Sequence, residues 1–152
     1  MAQVSAVTSN INRPQYLAEV TIYPENYSQT VLTTLRKLGV SEEMSVIILA
    51  QAIHESNNFS SYIFENTWNP FGMRVARVRP TTRSGEFKNY SKYESLEDAT
   101  IDYFYYMTYC NFPLDETNVY KYVTLLKKKA YYEDDFKNYY RAVRKHFKQI
   151  NV

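Results

Sequence analysis

The segment Ser41–Asn58, SEEMSVIILAQAIHESNN, is the part of the sequence that most strongly determines the fold. Ser41 is a favoured N-cap residue, and the two glutamates after it occupy a first helical turn, where the helix dipole stabilises carboxylates. Apolar residues then recur at helical spacing, at Met44, Ile47, Ile48 and Ala52. The polar run Ser56–Asn58 is typical of a helix end. We therefore expect a helix with a buried stripe that ends beside a loop.

Glu55 is conspicuous because it continues this stripe, following Gln51 by four residues and Ile48 by seven. Removing a carboxylate from water disfavours its ionised form, so its pKa rises and it can stay protonated near neutral pH. Cleavage of a glycosidic bond needs such an acid, because the leaving oxygen must be protonated. The alternative is a structural glutamate whose side chain reaches water or pairs with an arginine.

The remaining pattern predicts a single domain behind an extended arm. Residues 1–27 are rich in Ser, Thr, Asn and Pro and have no sustained helical period, so we assign them to the arm. Residues 28–152 form the predicted domain. Its first helix covers Ser28–Leu38 and ends at Gly39, because glycine readily adopts the left-handed conformation that stops a helix. A chain of 152 residues, 45% of them hydrophobic, can bury a core of its own.

A β-hairpin and three more helices are predicted after the Glu55 helix. Residues 74–93 carry scattered Val, Phe and Tyr around a Ser84–Gly85 turn, which is typical of a short hairpin. Ser95 begins a helix with a pattern like a capping box, and Pro113 ends that element. Two amphipathic helices follow, within residues 119–126 and 136–147. The predicted fold class is therefore α+β, mainly α-helical, with a small β-hairpin lobe.

Composition argues against several function classes. No run of about eighteen apolar residues occurs, and Met1–Asn10 lacks the basic and apolar regions of a secretion signal. We therefore expect neither a membrane partner nor a signal peptide. The single Cys110 cannot form an internal disulfide, and no Cys/His cluster has the spacing of a zinc site, so we expect no metal or other cofactor. A formal net charge of +2 gives little support to nucleic acid as a partner.

Two features of the composition leave alternatives open. Between Arg74 and Lys92, six basic residues stand against one acid, Glu86. This segment could face an anionic polymer or simply keep a hairpin in solution. The 16 tyrosines suit grooves, interfaces and sugar stacking as well as the edges of a core, because tyrosine buries its ring while its hydroxyl stays in water.

Four motifs resemble, in order, those of the endo-β-N-acetylglucosaminidase family, glycoside hydrolase family 73 of the lysozyme superfamily. The run Ile48–Ser56, ILAQAIHES, is similar to the AQA-x-x-ES helix of the family. Asn69–Arg74, NPFGMR, resembles its N-x-FG-[IM]-K loop. Tyr93–Ala99, YESLEDA, followed by Asp102–Tyr103, resembles its Y-x-S-x-x-x-[SA] helix start. Tyr122–Phe136 is similar to its closing segment, L-x-x-x-GYATDP-x-Y, so the matches together cover about residues 41–147.

The resemblance implies a lysozyme-like fold in which a groove between helices and hairpin holds a peptidoglycan glycan strand. Glu55 corresponds to the catalytic acid of the family. The resemblance also implies that Asn69, Phe71 and Gly72 shape the groove and that Tyr93 matches a groove tyrosine. Trp68, just before the loop, could stack on a sugar or cap the core beneath the loop.

A second carboxylate is expected on the hairpin, where many family members carry it in a TTEY-like context. Here the stretch Thr81–Glu86 reads TTRSGE, with Arg83 at the position of that acid. Glu86, 31 residues after Glu55, is the candidate substitute. It could act as base for the attacking water or form a surface ion pair. If Glu86 lies outside the groove, Glu55 alone could act, as in lytic transglycosylases, or the N-acetyl group of the substrate could supply the nucleophile.

Two functions are consistent with these observations. The first is a peptidoglycan hydrolase that cuts the β-1,4 bond between N-acetylglucosamine and N-acetylmuramic acid. The second is a structural or interaction protein of a phage particle that kept the scaffold, since fold does not guarantee function. A phage tail enzyme would combine both, with the arm contacting virion proteins and the protein found in the virion or in host cytoplasm before release. Nucleic-acid binding through the basic hairpin is the least favoured reading.

Overall fold

The computed structural model describes residues 24–150, with side chains from Tyr27 onward. Most of the predicted arm, residues 1–23, lies outside the described residues. The helices and strands are, in chain order, α1 (Pro24–Lys37), α2 (Glu42–Glu55), α3 (Tyr62–Thr67), β1 (Gly85–Phe87), β2 (Tyr90–Lys92), α4 (Leu96–Tyr109), α5 (Val119–Lys128) and α6 (Phe136–Ile150). The predicted class, mainly helical α+β with a small hairpin lobe, is confirmed.

Helix α2 lies at the centre of the core. Every residue from Met44 to Ala52 is buried, because α1 and α6 both pack directly against this helix. Helix α4 packs on α1, and α5 packs on α6. We predicted one buried stripe, whereas the helix is enclosed on all sides, as expected for a helix that is apolar all round. The end of α2 is thereby held rigidly by its neighbours.

The predicted N-caps of α2 and α4 are confirmed. The Ser41 side chain accepts a hydrogen bond from the Met44 backbone N–H at 3.1 Å, and Ser95 accepts one from Asp98 at 3.0 Å. Such caps satisfy donors that the first helical turn leaves free. Helix α4 ends at Tyr109, four residues before the proline that we expected to limit it.

The polar run after Glu55 ends α2 as predicted. The Ser56 hydroxyl donates to the Ala52 carbonyl at 2.7 Å and accepts a hydrogen bond from the Phe59 N–H at 2.8 Å. Residues 57–59 all have positive φ angles. The backbone therefore turns away immediately after Glu55, which leaves this residue at the edge of the core.

The hairpin lobe is confirmed, but its turn was predicted at the wrong place. Strands β1 and β2 pair antiparallel with Glu86 opposite Ser91. The turn residues are Lys88 and Asn89, with φ of 51° and 71°, the backbone conformation of a two-residue hairpin turn. Gly85 instead lies in β1. Asparagine tolerates the left-handed conformation that we had expected glycine to provide.

Two helical segments differ from the prediction. Helix α1 begins at Pro24 rather than Ser28, so the last four residues of the predicted arm are helical; proline is favoured in a first helical turn. Helix α3 was not predicted, because six residues are too few to display a helical period. Within residues 24–150, no helix combines the length and apolar character needed to cross a membrane.

Candidate active site

The Glu55 carboxylate lies between α6 and the loop at residues 69–73. Its Oε2 accepts a hydrogen bond from the Tyr139 hydroxyl at 2.7 Å. On the other side is Gly72, where an added Cβ would lie 3.3 Å from Oε1. Glu55 is only partly buried. The carboxylate is therefore held by α6 and bordered by the loop, while the residue stays partly exposed.

Burial raises the pKa of Glu55 above its usual range, and the hydrogen bond from Tyr139 opposes part of this increase. Desolvation disfavours the carboxylate, whereas a donor directed at it favours the charged form. Burial, together with the nearby charge of Glu55, raises the pKa of Tyr139 well above its ordinary value. Tyr139 consequently stays protonated as a donor, and the pKa of Glu55 is shifted in the direction that favours a general acid.

Two aromatic contacts hold Tyr139 in this position. Its ring stacks on Tyr132 with centroids 3.7 Å apart, and the His54 ring meets it edge-on at 5.1 Å. Burial lowers the pKa of His54, the charge of His146 lowers it further, and Asp134 opposes these effects. His54 is therefore a packing residue that favours its neutral form, although it is adjacent to Glu55 in sequence.

Gly72 is needed at its position for two reasons. Its φ of +67° lies in the left-handed region, which side chains disfavour. A Cβ would also crowd Glu55 Oε1. Gly72 thus borders the Glu55 carboxylate, and its role in shaping the groove stays a prediction.

Asn69 and Phe71 build the loop from the inside. The Asn69 side-chain amide donates to the carbonyls of Met73 and Ser91, both at 2.9 Å. Its carbonyl oxygen accepts hydrogen bonds from the backbone N–H groups of Phe71 and Met73, both at 3.2 Å. Phe71 is fully buried and stacks on Tyr103 at 4.7 Å. These residues shape the loop and join it to β2, and contact of their side chains with a ligand stays a prediction.

A buried polar network lies one helical turn before Glu55. The Gln51 side-chain oxygen accepts hydrogen bonds from the hydroxyls of Tyr103 and Tyr122, which also hydrogen-bond to each other. All three residues are fully buried. Buried polar networks of this kind fix the arrangement of the elements that contribute to them. Here, α2, α4 and α5 are joined directly below the site.

Tyr93 lies in the interior, at the junction of the hairpin lobe with α4. Its hydroxyl donates to Asp102 Oδ2, and Arg79 Nη1 donates to Oδ1 at 2.7 Å. The Arg79 side chain is 6% exposed and that of Asp102 is 0% exposed. A buried carboxylate requires such partners. The structure therefore shows Tyr93 as a residue that anchors the lobe, and a direct contact with a glycan stays a prediction.

Trp68 and Glu86 lie in different environments. Trp68 is half-buried, ends α3 with a left-handed φ of 62°, and packs edge-on against Phe64 at 5.7 Å. This placement agrees with a cap on the core, and sugar stacking stays a prediction. Glu86 is exposed on β1, and its carboxylate has no hydrogen bond or ion pair with any described residue. It thus forms no ion pair with the basic residues of the hairpin, and its catalytic role stays a prediction.

Sequence reasoning missed the contribution of Tyr139 and Tyr131 to the site. Tyr139 is 84 residues from Glu55, and its position in the apolar pattern of α6 indicated only a core residue. Tyr131 donates to the Phe71 carbonyl, which supports the loop from the α5–α6 connection. Tyr131 lies within the segment Tyr122–Phe136, which resembles the closing segment of the family, but nothing in the sequence specified its partner.

The geometry agrees with what comparison to known proteins finds. Residues 28–152 match the glucosaminidase family model, described as mannosyl-glycoprotein endo-beta-N-acetylglucosaminidase. No curated protein matches the chain significantly. Among solved structures, a chain from a type VI secretion system effector-immunity complex of Pseudomonas protegens has a similar fold, with a TM-score of 0.56 and 16% identity over 82% of this chain and 90% of that chain.

Among the described residues, no group of three His, Cys, Asp or Glu side chains is placed to hold a metal ion. The distinctive chemical feature of the site is a partly buried carboxyl group whose pKa is raised by burial. The family match over residues 28–152 shows that the chain belongs to the glucosaminidase family and is a glycoside hydrolase that acts on peptidoglycan.

Proposed function

We propose that this chain cuts the β-1,4 bond between N-acetylglucosamine and N-acetylmuramic acid, with Glu55 as the proton donor. The observation that carries the proposal is the Glu55 carboxylate, held by Tyr139 and facing Gly72 at the end of a rigid helix. Burial favours its protonated form. A protonated carboxyl group can donate to the glycosidic oxygen as that bond breaks, which is the step that needs acid catalysis.

The second half of the reaction requires a water molecule or another nucleophile. We propose Glu86 as the base, because it is an exposed acid on the hairpin lobe and its carboxylate forms no ion pair with any described residue. Arg83 takes the place of the acid that the family usually carries there. If Glu86 does not participate, the N-acetyl group of the substrate, or transglycosylation without external water, completes the reaction.

The test is digestion of purified peptidoglycan sacculi, with mass spectrometry of the fragments. Wild type should release reducing N-acetylglucosamine ends, and anhydro-muramic ends would identify a lytic transglycosylase instead. Glu55→Gln should lose activity by at least about 100-fold, the usual minimum for a general acid. Glu43→Gln, which alters an exposed glutamate at the other end of α2, is the matched control. Unchanged activity in Glu55→Gln would disprove the assignment.

Glu86→Gln separates the two proposed routes in the same assay. A loss of about 100-fold or more would identify a base, whereas full activity would leave Glu55 as the single acid. If wild type itself releases nothing, the alternative of an interaction protein on this scaffold is favoured.

We also propose that the enzyme reaches the wall from a phage particle, with residues 1–27 contacting virion proteins. Support comes from the sequence, since this polar segment precedes the family match at residue 28. Co-purification of the full chain with virion proteins would support the proposal, and a strictly monomeric, unassociated chain would contradict it.

A further inference from the structure

The charge of this chain is divided unequally along its length. Residues 119–152 contain nine Lys and Arg against three acidic residues, a formal charge of +6. Residues 1–118 contain nine against thirteen, a formal charge of −4. Helices α5 and α6, which pack together, therefore form a basic unit beside an acidic remainder. The whole-chain value of +2 conceals this separation.

An exposed tyrosine lies on this basic unit. Tyr120, in the first turn of α5, is 54% exposed. Its ring is held edge-on by Phe136 at 5.2 Å and by Tyr140 at 5.4 Å, and those two rings are nearly parallel to each other. A ring fixed in this way loses little freedom when a ligand packs against it. The cluster is thus a rigid aromatic platform open to solvent.

The platform borders a surface depression of about 360 Å³. Its lining residues are Tyr120, Thr124, Lys127, Lys128 and Phe136. Lys127 is engaged, since its ammonium donates to the Asp134 carbonyl at 2.8 Å and lies over the Tyr132 ring. The exposed Lys128 ammonium has no hydrogen-bond or ion-pair partner among the side chains that the structure describes, residues 27–150. The depression therefore offers one available cation beside one exposed ring, and its lining includes neither Glu55 nor Tyr139 nor Gly72.

We propose that the depression on α5 and α6 is a second binding surface for an acidic glycan, distinct from the cleavage site. Aromatic rings pack against the apolar faces of sugars, and a lysine ammonium pairs with a nearby carboxylate. The inference rests on the proposed function, because the acidic glycan that we propose as ligand is the substrate, peptidoglycan. Holding the polymer at a second point would raise the effective concentration of glycan at Glu55.

Charge complementarity favours a glycan over nucleic acid. A nucleic acid strand carries one phosphate about every 3.4 Å and is bound through many such contacts along a basic track. The depression presents a single available ammonium, and residues 1–118 have a formal charge of −4. A polymer with sparse acidic groups and sugar faces fits these features better.

The experiment is co-sedimentation with peptidoglycan sacculi in a Glu55→Gln background, where cleavage cannot obscure binding. Tyr120→Ala/Lys128→Ala should raise the apparent Kd about tenfold, as expected if a contact energy of about 1.4 kcal/mol is lost. Tyr109→Ala/Lys37→Ala removes an equally exposed tyrosine and an exposed lysine outside α5 and α6, and should bind like its parent. Thermal unfolding followed by circular dichroism checks that each variant is folded. Lys128→Glu, a single surface change, gives a second test if the double variant is unstable.

Equal sedimentation of the Lys128→Glu variant and its parent would overturn the inference. The inference would also be overturned if Lys128→Glu lost binding to a DNA oligonucleotide but bound sacculi like its parent. The occupant of the depression would then be nucleic acid. The cleavage assay is independent of these outcomes. If wild type leaves sacculi uncut while its sedimentation still depends on Tyr120 and Lys128, that result would contradict the proposed function but would support the second binding surface.

Discussion

Replacing Gly72 by alanine should reduce activity more than it reduces stability. Backbone strain and steric crowding combine at this position. The φ angle is +67°, and the new Cβ would lie 3.3 Å from Glu55 Oε1. A left-handed backbone costs an L-residue about 1–2 kcal/mol. For a domain of this size, such a loss lowers Tm by roughly 2–8 °C. The fold should therefore survive, with a modest decrease in thermal stability.

The close contact with Glu55 has a separate consequence. At this distance the carboxylate must move by a few tenths of an ångström. A misplacement of about 1 Å can reduce catalysis about 100-fold, so the smaller shift should reduce kcat roughly three- to tenfold. Activity is measured per folded molecule on peptidoglycan, well below the Tm of the variant.

Gly39→Ala is the matched control for backbone strain. Gly39 has a φ of +97°, and nothing lies within 4 Å of its added Cβ. This variant should be destabilised at least as much as Gly72→Ala and should keep its activity. Equal activity losses in the two variants would refute the argument from crowding, and wild-type activity in Gly72→Ala would refute it directly.

Three further predictions concern the groups around the site. Tyr139→Phe removes the donor that favours the Glu55 carboxylate, so the pKa of the acid should rise and activity should persist to higher pH in a kcat/KM profile. Arg79→Met leaves Asp102 buried without its cation, which should cost about 3–5 kcal/mol in denaturant unfolding. The folded-state pKa of His54 is below its ordinary value of 6.5, so the unfolded state binds more protons there, and stability should fall as pH decreases below about 6.5. His54→Gln should weaken that dependence.

Each of these predictions has a clear contrary result. If the alkaline limb of the activity profile stays in place or moves to lower pH in Tyr139→Phe, the hydrogen bond from Tyr139 does not set the pKa of Glu55. Unfolding of Arg79→Met at the wild-type denaturant midpoint would show that the buried ion pair contributes nothing net. Identical acid sensitivity in His54→Gln would assign the pH dependence to other groups.

Sequence patterns predicted the elements whose causes are local. Ser41 and Ser95 were identified as caps because a cap depends only on residues within one helical turn. Glu55 was identified because it continued a helical stripe, and its placement at the helix end followed from the three polar residues after it. Motif resemblance then identified the family, which the match to its model confirms.

Features that depend on tertiary contacts were not predicted. Nothing near Tyr139 indicates that its hydroxyl meets Glu55, because the contact depends on how α6 docks on α2. Asp102 belonged to a motif that resembles the family, but only the fold shows that it is enclosed by Tyr93 and Arg79. The hairpin turn was misplaced because Gly85 is a stronger turn signal than Lys88–Asn89, although the left-handed conformations occur at Lys88–Asn89.

The hydrogen bond between Tyr139 and Glu55 also bears on when the site can first exist during synthesis. The two residues are separated by 84 positions. A ribosome that adds about 5–20 residues per second needs roughly 4–17 s to deliver the tyrosine after the glutamate. Throughout that interval the nascent chain carries its carboxylate without the partner that orients it. The hydrogen-bonded pair of Glu55 and Tyr139 can thus form only after most of the chain has been synthesised. A fragment terminated before Tyr139 would lack this pair.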